Sequence, residues 1–283
     1  MKRSMEPTAL PPDSIRPALN SSRLVHRKMA PVLALVMAVW LSACIGQQES
    51  AQAGEWNPAQ ELLQRSLAYH DPDGVWGKEA VHLHWASSRP NGDLGYAFDI
   101  ELAPNGDFAM VGERKGRLLE YEVAGDRVRS TVDGESSFSD EVRDEMGLTR
   151  DDGKFWRDYL GYLGAFPMCL EGSGVNISPQ VMKVKLAEED VLAFDVTFSP
   201  GVGDDTYTFY FEPTQARLVG CRFYHEDPNT DGETILFEGE SRVGSLRLPR
   251  TRRWYTNVDN RFLGTDVISE AASQASRRFI SGS

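Results

Sequence analysis

Val81-His82-Leu83-His84-Trp85-Ala86-Ser87-Ser88-Arg89-Pro90-Asn91-Gly92-Asp93-Leu94-Gly95-Tyr96-Ala97-Phe98-Asp99-Ile100-Glu101-Leu102 decides the fold class. Val81, Leu83 and Trp85 alternate with His82 and His84. Leu94, Tyr96, Phe98, Ile100 and Leu102 alternate with smaller or polar residues. A period of two puts all the apolar side chains of each run on one face of a strand. Pro90-Asn91-Gly92-Asp93 is a tight-turn sequence, so the two runs read as an antiparallel hairpin with one oily face.

Working outward, Pro104-Asn105-Gly106-Asp107 repeats the turn. Strand signals follow at 108–113, 118–123 and 127–132, and resume at 181–186, 191–198, 206–211, 218–224, 234–240 and 252–256. Gly203-Asp204-Asp205, Glu212-Pro213 and Asp231-Gly232 punctuate the second series, and Asp204-Asp205, like Glu188-Glu189-Asp190, reads as a hairpin tip. Between the two series the pattern changes. Ser139 suits the cap of a short helix, and 152–163 reads as a helix carrying Phe155, Trp156, Tyr159 and Tyr162. Upstream, Asn57 as N-cap and Pro58 at the first helical position start a helix ending near His70, with Ala59, Leu62, Leu63 and Leu67 as its apolar stripe. After Gly264 the chain is rich in Ser and Ala and is expected to fray. The expected fold is therefore α+β: one strongly curved antiparallel sheet, an unclosed β-barrel, with helices packed on its concave face. A single domain is expected over 56–268, with a frayed tail at 269–283.

The chain has 283 residues, 41% hydrophobic and 25% charged, with a formal net charge of -12. Residues 1–43 hold six basic and two acidic side chains, so the remainder carries -16. That charge repels nucleic acid and anionic headgroups, which argues against DNA or RNA as a partner. Residues 1–22 have no clear periodicity and read as an extended signal or an over-called start. Arg23, His26, Arg27 and Lys28 then precede an apolar run from Ala30 to Ala43, and Leu41-Ser42-Ala43-Cys44 closes it. The run is too short to span a bilayer, which takes about 20 residues. It resembles a bacterial lipoprotein signal. The resemblance implies that Cys44 receives a thioether-linked diacylglyceryl group and becomes the first residue of the mature protein, leaving 44–55 as a small, polar tether. The lipid, and not the acidic surface, would hold the protein to the membrane. Ile45 after Cys44, by resemblance to enterobacterial sorting, favours the outer membrane, facing the periplasm.

A second resemblance rests on Ala68-Tyr69-His70-Asp71-Pro72-Asp73-Gly74-Val75-Trp76, Phe166-Pro167-Met168, Tyr210-Phe211-Glu212-Pro213 and Phe223-Tyr224-His225 with Asp231-Gly232-Glu233. It continues through Arg253-Trp254-Tyr255-Thr256-Asn257 and Phe262-Leu263-Gly264-Thr265-Asp266. In this order, over about 57–268, the chain resembles a family of bacterial envelope proteins of unknown function, related in fold to the outer-membrane lipoprotein carrier and receptor proteins. The resemblance implies an unclosed barrel whose apolar concave face accepts acyl chains. Trp85, Tyr96, Phe98, Phe194, Phe209 and Phe211 are then the candidate cavity wall, and the same rings would serve as core.

Polar candidates are fewer. His70, Asp71, His225 and Glu226 lie in two similar Tyr-His-acid-Pro stretches. If brought together they would bind a cation or form an acid–base pair; otherwise they are turns held by Asx-type hydrogen bonds. His82 and His84 share a strand face, a spacing that can hold a metal, but no third ligand is adjacent and an outer polar face is expected. Cys169 and Cys221 are either bridged or two thiols in or near the core, and no reactive thiol is expected. Arg247, Arg250, Arg252 and Arg253 read as a solvated or acid-paired face. No phosphate loop, nucleophile elbow or zinc motif is present. The expectation is a non-enzymatic, lipid-anchored envelope protein, without a cofactor, that binds an acyl chain or a lipidated protein. A scaffold module with a self-filled core is the alternative, and an enzyme or metal protein using the two Tyr-His turns comes third.

Overall fold

The computed structural model describes residues 57–149 and 153–271. Cys44, the expected signal and the expected tether lie outside these residues. Helix α1 (Pro58–His70) opens as the sequence predicts, with Asn57 Oδ1 accepting from the N–H groups of Ala59 and Gln60, both at 3.1 Å. Five strands follow as a meander: β1 (Val81–Ser88), β2 (Leu94–Leu102), β3 (Phe108–Arg114), β4 (Arg117–Ala124) and β5 (Arg127–Val132). Helix α2 (Asp140–Glu145), capped by Ser139, helix α3 (Phe155–Gly164) and a 3₁₀ turn (Met168–Glu171) form the interruption. The second meander is β6 (Val175–Ile177), β7 (Met182–Leu186), β8 (Glu189–Phe198), β9 (Thr206–Phe211), β10 (Leu218–Tyr224), β11 (Glu233–Val243), β12 (Leu246–Thr256) and β13 (Phe262–Glu270).

All thirteen strands form one antiparallel sheet, in the order β5-β4-β3-β2-β1-β13-β12-β11-β10-β9-β8-β6, with β7 also on β8. The sheet is unclosed. Among the described residues, the first and last strands are joined by a seam of β1 against β13, from Leu83 opposite Glu270 to Ser88 opposite Thr265. This seam corrects the expectation of fraying after Gly264. Val267 and Ile268 continue a strand, and Ser and Ala do not stop one when both of its flanks find partners. The short strand β6 and the start of β12 at Leu246 also exceed the sequence reading.

Among the described residues, the main hydrophobic core cluster joins α1, α3 and the concave face of both meanders, and a smaller cluster of Val191, Ala193 and Tyr210 packs with β7. Trp156 of α3 seats over the first meander, with its ring edge-on to Tyr96 at 5.5 Å and to Phe98 at 5.3 Å between centroids. Its Nε1 donates to the Met146 carbonyl at 2.9 Å, so the indole is buried with its one polar atom satisfied. Phe166, after α3, packs edge-on to Phe209 at 5.1 Å over the second meander. Arg252 corrects the reading of a solvated arginine face. It is 0% exposed on the concave side of β12. One terminal nitrogen donates to the Leu163 carbonyl at 2.6 Å, placing a cation at the C-terminal end of α3 where the helix dipole favours one. Its guanidinium lies 4.8 Å from the centroid of Trp85. Of the other three, Arg253 pairs with Glu238 at 3.1 Å and Arg247 stacks on Tyr69.

Candidate functional site: a pocket beside the filled bowl

Five of the six rings expected to wall a cavity are core, and the sixth, Tyr96, is partly buried against it. Trp85, Phe98, Phe194, Phe209 and Phe211 are each 0% exposed, and Tyr96 stacks on Phe98 and meets Trp156. None of the six lines the pocket described below. The physical reason is the α3 segment. Trp156 of α3 packs edge-on against Tyr96 and Phe98, and Phe166 just after it against Phe209.

Space remains where that segment ends. A pocket of about 400 Å³ lies between α3, the 3₁₀ turn and the second meander. Phe198 of β8 and Tyr207 of β9 form its sheet side, with Asp205 just before β9. Arg157, Asp158 and Tyr162 of α3 form another wall. Cys169, Gly172, Ser173, Val175, Val202 and Gly203 complete it. The apolar walls have a local cause. Tyr207 lies on the same face of β9 as Phe209 and Phe211, and Phe198 continues the inward face of Phe194 and Val196 on β8. Tyr162, Phe198 and Tyr207 meet edge-to-face with centroids 5.8–6.2 Å apart.

Two polar groups in these walls are unusual. Asp205 is 3% exposed, and among the described residues neither carboxylate oxygen has a hydrogen-bond partner. His225 Nδ1 stands 3.4 Å from Oδ1, an ion-pair contact longer than an ordinary hydrogen bond. Burial, opposed by His225 and reinforced by the charges of Asp231 and Asp204, pushes the Asp205 carboxyl up to about 6. The Tyr162 hydroxyl is likewise buried without a partner among the described residues, and burial raises it far above the ordinary phenol range. Asp205 therefore corrects the reading of Asp204-Asp205 as a simple hairpin tip. The strand that follows is buried on the parity of Tyr207, so the residue two before it turns inward as well.

Cys169 and Cys221 are free thiols. Burial pushes both well above the usual thiol range, which keeps them protonated and poorly nucleophilic. The two Tyr-His turns do not meet. His70 Nε2 accepts from the N–H of Leu218, the first residue of β10, whereas His225 follows its last residue, Tyr224. Six steps of strand put these ends about 20 Å apart. Both stretches are turn locks. Asp71 accepts from the N–H groups of Val75 and Trp76, and Asp231 accepts from those of His225, Glu226 and Asp227. Gly232, at φ +80°, completes the second turn, because an added Cβ would stand 1.9 Å from the Phe223 carbonyl oxygen. Asn257 donates to that oxygen at 3.0 Å and to the Asp231 carbonyl at 2.9 Å. His84 pairs with Asp99 at 2.7 Å and His82 faces Glu101 at 3.8 Å, each directly across β1 and β2. Among the described residues no group of three His, Cys, Asp or Glu side chains is placed to hold a metal ion, and no helix is long and apolar enough to cross a membrane.

Residues 50–271 match the sequence profile of a family of unknown function, DUF6503. The chain belongs to this family. The turn locks built on Asp71, Asp231 and Asn257 lie within the DUF6503 region, where they fix the strand connections. No curated protein matches the chain. Among solved structures, this DUF6503 chain is similar to a LolA superfamily protein from Nitrosomonas europaea, at 12% identity and a TM-score of 0.45, over 75% of this chain and 91% of that one. It is also similar to a putative outer membrane lipoprotein-sorting protein domain from Vibrio parahaemolyticus, at 9% identity and a TM-score of 0.38, over 77% and 92% of the two chains. A DUF1329 family protein from Desulfovibrio piger matches at 10% identity and a TM-score of 0.37, over 77% and 95%.

Proposed function

We propose that this protein is a lipid-anchored, non-enzymatic envelope protein, held through Cys44, that binds an apolar ligand such as an acyl chain or a lipidated protein. The observation that carries the reading is the pocket between α3 and the β8–β9 edge. At about 400 Å³ it falls within the 300–1,000 Å³ that small-molecule sites occupy, and rings and aliphatic side chains make up much of its wall. Each methylene buried there would contribute about 0.8 kcal/mol. The thiol in its wall is held protonated by burial, which suits binding better than nucleophilic catalysis.

The test uses a neutral naphthylamine dye that brightens in apolar surroundings. The full chain should enhance its fluorescence saturably, and Val175→Trp, which fills the pocket, should abolish most of the gain. No enhancement by the native chain would contradict the reading. For the anchor, Cys44→Ser should move the protein from the membrane pellet to the soluble fraction, and retention in the pellet would contradict it.

The filled bowl favours a second reading, a scaffold module whose sheet is structural throughout. It predicts equal dye response in the native chain and in Val175→Trp.

A further inference from the structure

We propose that the pocket selects its ligand by head group, taking an alkyl chain that ends in an amine and docking the ammonium on Asp205. The inference rests on the reading of the pocket as an apolar binding site and names the class of molecule that it takes.

The Asp205 carboxylate is only partly compensated by His225. Asp205 is buried in the pocket wall, and among the described residues both of its oxygens lack a hydrogen bond. An isolated buried carboxylate is costly, and such groups are ordinarily paired. His225 is the cationic candidate at hand, but its Nδ1 remains 3.4 Å away and its side chain is 49% exposed, so water competes for it. The Tyr162 hydroxyl, in the same lining, is a second buried polar atom without a partner, and the two groups sense each other electrostatically. An unpaired acceptor and an unpaired hydroxyl in one apolar pocket form a polar end awaiting a ligand.

The chemistry of that end selects among head groups. An ammonium carries three N–H donors and a positive charge. It can donate charge-assisted bonds to the carboxylate oxygens. An alcohol offers one donor and no charge. A fatty-acid carboxylate offers no donor and meets a like charge in a site of low polarity, where repulsion is poorly screened. The cation in the lining, Arg157, is already paired with Asp158 at 2.6 Å. The net charge of -12 further favours approach by a cation.

The experiment displaces the naphthylamine dye from the full chain with dodecylamine, dodecanol and dodecanoate, three ligands of equal chain length, each kept below its micelle concentration. The amine should displace the dye at a concentration at least about tenfold lower than the carboxylate, with the alcohol between them. In Asp205→Asn, nearly the same in shape, the amine should lose that advantage while the alcohol is unchanged. Equal potency of the three heads, or a preference for dodecanoate, overturns the inference and leaves the apolar site standing. A native chain that binds no dye overturns both. The comparison of heads on the native chain decides the matter even if Asp205→Asn folds poorly.

Discussion

His70 shows how a motif that looks catalytic serves the fold. Its Nδ1 donates to the Arg247 carbonyl and its Nε2 accepts from Leu218 N–H at 3.0 Å, so the ring joins the end of α1 to β10 and β12. That pairing requires the neutral ring, and burial holds the imidazole down to about 4. Because the folded value lies below the unfolded 6.5, the unfolded chain takes up the proton first. The contribution of His70 to stability is complete above pH 6.5 and is lost as pH falls towards 4, by about 3 kcal/mol in all. Urea unfolding at a series of pH values should show this loss, and His70→Gln should flatten it. Glu233 has the opposite sign. Burial raises its carboxyl to about 8, so its contribution is present below pH 4.5 and is lost as pH rises through 8. Glu233→Gln should remove that decline between pH 4.5 and about 8. The identity of His70 was legible in the sequence, but its role was not. A His beside an acid and a proline reads alike as a ligand or as a turn, and only the neighbouring strands decide.

At the scale of the element, α3 determines how much of the bowl is open. The sequence shows its aromatic residues and its helical spacing, but not the depth to which Trp156 enters the first meander. That depth depends on the curvature of strands far away in the chain, which no local pattern encodes. Trp156→Ala should cost about 3–5 kcal/mol, read as a lowered urea midpoint at unchanged slope. Arg252 is the other fastening. A basic residue flanked by Arg250 and Arg253 looks solvated, yet the alternation along β12 turns this one inward with Trp254. There it meets the carbonyl end of α3, and Asp266 lies opposite it in register on β13. Arg252→Ala leaves Asp266 without its cross-strand cation and should speed amide hydrogen exchange throughout α3.

In the whole molecule, two meanders become one sheet only because the last described strand returns to the first. The strands and their turns were readable from alternation and from the Asn-Gly and Asp-Gly sequences. The β1–β13 seam was not, since a strand signal does not name its partner. Ending the chain at Arg261 should therefore prevent cooperative folding, seen as loss of a single unfolding transition. That the sheet presents an apolar concave face was also legible, but the position of the pocket was not. The rings that alternate most clearly became core, while the pocket formed from Phe198, Tyr207 and Tyr162 at the end of the α3 segment, with Asp205 beside them.

The most direct test of the central claim, that this pocket holds an apolar ligand, is native mass spectrometry of the full-length chain carrying Cys44→Ser, isolated without detergent. The account predicts a non-covalent adduct with the mass of an alkyl lipid, lost when Val175→Trp is added. A bare chain, or an adduct that survives the filled pocket, would contradict it.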